Sequence, residues 1–115
     1  MEVDQEHLLY ALLDIDDSLI SGLIEKMGIS IESFKKRIEE LINKKVKVSG
    51  NVQISISNDL NRVLIEAEDE AKKMGDDYVS VEHLFILMLK YPGKALKELF
   101  KSYGITVESF LKVSR

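Results

Sequence analysis

The chain lacks cysteine, has a single proline, and contains no apolar run of the roughly 20 residues that a membrane helix needs. Without cysteine there is no disulfide framework and no thiol nucleophile, which fits a reducing cytosol, so a cytoplasmic location is expected. The opening residues do not read as a signal peptide. Positive charge is also short: 16 Lys and Arg stand against 20 Asp and Glu, for a net charge of −4. Such a balance argues against a nucleic-acid or anionic-membrane partner, each of which needs a basic face. A phosphate-cradling G-x-x-x-x-G-K-[ST] loop is missing as well. Gly93-Lys94 has neither the upstream glycine nor the hydroxyl that follows. No cofactor is therefore expected in this chain, and with no serine–histidine or cysteine–histidine pairing in view, it is not read as an enzyme.

What the chain does contain is a copy of itself. Residues 3 to 39 return at 79 to 115 without a gap, and 12 of the 37 aligned positions are identical. Val3-Asp4-Gln5-Glu6-His7-Leu8 becomes Val79-Ser80-Val81-Glu82-His83-Leu84, and Gly28-Ile29 becomes Gly104-Ile105. Ten of the other 25 positions exchange one apolar residue for another, such as Leu9 for Phe85. Two copies of one helical unit can bury their apolar faces against each other. The expected fold is all-α: two pseudo-symmetric repeats packed as one domain over 1–115, with repeat one at 1–45, a linker at 46–57 and repeat two at 58–115.

Helix punctuation agrees between the copies. Asp4 and Ser80 are suited to N-caps, with Val3–Leu8 and Val79–Leu84 as hydrophobic staples and Glu6 and Glu82 on the positive helix ends. The helices that follow are apolar nearly all round, which predicts a central position. Connections are expected at Asp14–Asp17 and at Lys90–Lys94, where Pro92 and Gly93 interrupt the helix. The next helices stop at Gly28 and Gly104, and Ser30 and Thr106 cap a third pair. Between the copies, the spacing of Leu60, Val63, Leu64, Ala67, Ala71 and Met74 predicts a helix from Asn58 to Met74, ended by Gly75. A counterpart of this helix in the first copy would lie before Met1. Either the chain is truncated, or an unmatched groove exists that a neighbouring chain could fill to give a dimer. The alternation of Val46, Val48, Val52, Ile54 and Ile56 around Gly50-Asn51 reads as a small β-hairpin or as an extended linker.

The motif set resembles the Clp N-terminal repeat domain of Clp-family AAA+ chaperones. It consists of Asp4-x-Glu6-His7-Leu8-Leu9-x-Ala11-Leu12-Leu13, Gly28-Ile29, Leu60-x-x-Val63-Leu64-x-x-Ala67-x-x-x-Ala71 and Tyr78-Val79-Ser80-Val81-Glu82-His83-Leu84. The connector Val46-Lys47-Val48-Ser49-Gly50 looks most like the ClpB disaggregase branch. This resemblance implies two four-helix repeats on a ring hexamer whose ATP is used in other modules. Its clients would be unfolded or aggregated polypeptides, while a protease-linked branch would dock an adaptor protein instead. It also implies a client-binding strip made here by Leu60 and Leu64, with Asp76 and Glu82 on the rim and His83 nearby. The competing reading makes Leu60 and Leu64 core residues and Glu82 a partner of the helix dipole.

Three further features read as structural. His7 and His83 lack convergent ligands and are expected to cap or pack rather than bind metal. Asp14, Asp16, Ser18 and Glu25 fall at calcium-loop offsets, but Leu19 stands where such a loop needs glycine, so a solvated turn with an N-cap is expected. Glu66, Glu68, Asp69 and Glu70 are read as a solubilising face.

Overall fold

The computed structural model describes residues 2–45 and 54–114. Over these the chain forms α1 (Gln5–Asp14), α2 (Leu19–Lys26), α3 (Ile31–Asn43), α4 (Asn58–Lys73), α5 (Val81–Lys90), α6 (Lys94–Tyr103) and α7 (Val107–Ser114). Two short strands, β1 (Glu2–Val3) and β2 (Ser55–Ile56), complete it. The fold is all-α, and α1 and α5 are offset by the 76 positions that separate the sequence copies.

Helix ends repeat with the sequence. Gly28 and Gly104 take left-handed backbone at φ 82° and 68°, a region a Cβ disfavours. The next residue then turns back to bond five positions upstream, Ile29 N–H to the Ile24 carbonyl and Ile105 N–H to the Phe100 carbonyl. Each turn drops an isoleucine onto the apolar cluster.

The centre is α5, which packs on α1, α2, α4, α6 and α7. Its Phe85, Ile86, Leu87 and Met88 are all buried, as the near-continuous apolar pattern predicted. An aromatic contact joins the copies, Phe34 of α3 meeting Tyr103 of α6 edge-on at 5.1 Å, and within the second copy Phe85 meets Phe110 at 4.7 Å. Such pairs add about 0.5–1.5 kcal/mol beyond the area they bury.

Several expectations are corrected. Ser55–Ile56 pairs in parallel with Glu2–Val3, across the whole of α1 to α3, a partner the sequence reading did not foresee. Val46, Val48, Gly50, Asn51 and Val52 of the expected hairpin lie outside the described residues. Glu70 does not belong to a solvated face. It is 5% exposed and ion-paired with Lys90 of α5. On α4 the buried stripe runs Leu60, Val63, Ala67, Glu70, Ala71, whereas Leu64 and Met74 lie off it and are exposed.

The expected groove beside α1 is also different in kind. In repeat two, Ile86 and Lys90 of α5 look toward α4. Their copies on α1, Tyr10 and Asp14, are engaged by α3: Tyr10 donates to Glu39 at 2.6 Å and Lys35 bridges Asp14 at 2.8 Å. This flank is dressed with polar groups rather than presented as an apolar slot.

Candidate functional site

The loop between α4 and α5 gathers three of the sequence-predicted residues. Asp76 follows Gly75, whose φ of 76° turns the chain out of α4, and its own N–H returns to the Ala71 carbonyl. Ser80 caps α5, Glu82 stands in the first turn, and His83 is the third helical residue. The Ser80 N–H donates to His83 Nδ1 at 2.7 Å, and His83 Nε2 lies 2.7 Å from Asp76 Oδ2. With Nδ1 facing a backbone donor, the hydrogen-bond network assigns the ring proton to Nε2, which donates to the carboxylate. Asp76 remains half exposed while the imidazole is buried.

Asp76 and Glu82 form the common rim of two depressions. One of about 350 Å³ is shared with Asp77, Tyr78, Ser80 and His83. The other, of about 590 Å³, runs between α4, α5 and α7, with Met74, Ile86, Val107 and Leu111 as apolar wall and Glu70, Lys73 and Lys90 as polar wall. The structure thus brings Asp76, Glu82 and His83 together but leaves out the two leucines. Leu60 is 4% exposed, with its N–H held by Ser57 Oγ, so it is an interior residue and not a groove floor. Leu64 is 45% exposed on the outer side of α4 and lines neither depression.

Sequence reasoning missed the first repeat's polar hub. Gln5 is completely buried: its Oε1 accepts from Gly93 N–H at 2.7 Å, and its Nε2 donates to the carbonyls of Tyr91 at 2.9 Å and Asp59 at 3.2 Å. Asp4 caps α1, accepts from Ser57 Oγ at 2.6 Å and bridges Lys45 at 2.9 Å. Lys45 also reaches the buried Glu6 at 3.1 Å. Burial alone pushes the Asp4 carboxyl up, but the Ser57 hydroxyl, the Lys45 ammonium and the Gln5 N–H outweigh it and hold Asp4 below the ordinary 3.8. Lys45 is displaced upward, because its bonds to Asp4 and Glu6 outweigh a burial effect of opposite sign. The one sequence signal was Gln5 itself, a polar residue where the second copy has Val81.

The calcium-offset residues are otherwise employed. Ser18 caps α2 and donates to the Leu12 carbonyl at 2.6 Å, and Asp14 holds Lys35. Among the described residues no helix is long and apolar enough to cross a membrane.

The family model for the Clp repeat (R) N-terminal domain matches residues 1–103. The chain belongs to this family. ClpB chaperones of Bacillus anthracis and Nitratidesulfovibrio vulgaris are each 36% identical to it, over 96% and 97% of this chain, but over only 13% and 14% of their own length. ClpB of Porphyromonas gingivalis is 38% identical over 90% of this chain and 12% of its own. This Clp repeat domain therefore spans about one-eighth of the curated relatives it matches. A solved structure described as "Preliminary structural investigations of a malarial protein secretion system" superimposes with a TM-score of 0.76 at 22% identity, covering 97% of this chain and 76% of that one. It supports the fold alone.

Proposed function

We propose that this Clp repeat domain recruits unfolded or aggregated polypeptide for a ClpB-type disaggregase, a cytoplasmic ring hexamer whose ATP-consuming modules lie outside these residues. Repeats 1–45 and 58–115 act as one unit, and capture is weak, reversible and tolerant of sequence. The observation that carries this reading is the depression edged by Asp76 and Glu82 and walled by Met74, Ile86, Val107 and Leu111. Apolar walls favour any exposed apolar side chain, and the rim carboxylates accept unpaired backbone N–H groups or basic side chains. The curated relatives' name, chaperone protein ClpB, supports the same choice. Fluorescence anisotropy of labelled casein, an unfolded client, tests it. The wild-type chain should bind, and Glu82→Gln should weaken binding about threefold, the scale of one partly exposed charge. Saturable binding of a folded adaptor with no binding of casein would overturn it.

A further inference from the structure

We propose that His83 is a positioning residue for Asp76 rather than a contact for the client; the inference rests on the client reading given above. Three observations carry it. The imidazole is 3% exposed, too buried to meet a polypeptide lying in the groove. Both its nitrogens are committed, Nδ1 to the N–H of Ser80 and Nε2 to the carboxylate of Asp76, each at 2.7 Å. The carboxylate it grips is the exposed partner, at 50%, on a loop whose neighbours Tyr78 and Val79 are themselves open to solvent. Among the described residues, His83 is the only side chain that bonds the Asp76 carboxylate, so the ring sets where that charge stands on the rim.

The first repeat separates the two tasks of the ring. His7 accepts the Asp4 N–H at Nδ1, at 3.0 Å, just as His83 accepts that of Ser80. No acid lies on its Nε2 among the described residues. A histidine at the third helical position therefore serves both repeats as a cap, and only His83 is also a tether. Glutamine at that position keeps the cap, since its side-chain oxygen can reach back to the same N–H, while it replaces the rigid two-nitrogen bridge.

The test measures casein affinity and stability together for wild type, His83→Gln, Asp76→Ala, the double variant and His7→Gln. Positioning predicts that His83→Gln and Asp76→Ala each weaken binding about threefold, and that the double variant is no weaker than Asp76→Ala. His7→Gln should leave affinity unchanged. Additive losses, or wild-type affinity for His83→Gln, would overturn the proposal. Absence of casein binding by the wild-type chain would instead overturn the client reading. The Asp76 side-chain carbon resonance then decides positioning alone: a shift in His83→Gln supports the tether, and an unmoved resonance rejects it.

Discussion

Replacing Gln5 should destabilise this domain more than replacing any other polar side chain on α1. The amide makes three bonds across sequence separations of 54, 86 and 88 residues, joining α1 to the start of α4 and to the α5–α6 connection. A buried amide bond contributes about 1 kcal/mol net, and an orphaned partner costs about 1–3 kcal/mol. Gln5→Leu fills similar volume but strands the Gly93 N–H and the Tyr91 carbonyl. The carbonyl of Asp59, in the first turn of α4, still has the helix's own N–H as a donor and is not orphaned. The expected loss is about 3 kcal/mol, or near 10–15 °C in Tm for a chain of this size. Urea unfolding followed by circular dichroism at constant pH gives the value directly. Gln5→Glu provides an internal control. Its carboxylate still accepts from Gly93 but faces two carbonyls, so it should be worse than Gln5→Leu at neutral pH and recover on acidification, when a protonated carboxyl can donate. A Gln5→Leu chain within about 0.5 kcal/mol of wild type would refute the account, because that is the scale of a surface substitution.

Lys45→Met removes the cation shared by Asp4 and Glu6 and leaves the Glu6 carboxylate buried. A loss of about 1–3 kcal/mol is expected, reduced because Lys45 is itself partly exposed, and the urea midpoint checks it. The Asp4 carboxyl sits below its ordinary 3.8 in the folded chain. Its stabilisation is therefore present above that value and is lost as pH falls through the lower folded one, so an acid scan should show the advantage of wild type over Asp4→Asn narrowing below it. Lys45 is displaced the other way, so its contribution holds below the ordinary 10.5 and disappears only as pH rises past its higher folded value.

The helices were legible because their signals are local. Caps at Asp4, Ser30, Ser80 and Thr106 and stops at Gly28 and Gly104 each act within a turn or two of the chain, and each appears where helices begin or end. The duplication supplied the long-range information that one copy lacks, since two matching apolar faces imply a shared core. What could not be read was the fate of individual polar side chains. Glu70 and Glu68 look alike in sequence, yet a two-residue difference in helical phase puts one against Lys90 in the interior and the other in water. Leu60 and Leu64 likewise share a spacing that fits one helix face, but only Leu60 falls on the buried stripe.

The same phase sensitivity explains why duplicated halves need not have duplicated roles. Glu6 and Glu82 occupy equivalent positions in equivalent helices. Glu6 is sealed by Lys45 from the end of α3, while Glu82 is half-buried on the rim of two open depressions. Nothing in the shared motif distinguishes them; the difference comes from what each copy's neighbours supply. α3 extends to Asn43 and carries a lysine just beyond its end that reaches back across the start of α1. Beside α5 the corresponding first turn is met by the α4–α5 loop, which brings Asp76, another acid, rather than a base. One of the two equivalent carboxylates is held in the scaffold by Lys45, and its copy, with no ion pair among the described residues, stands on an open rim.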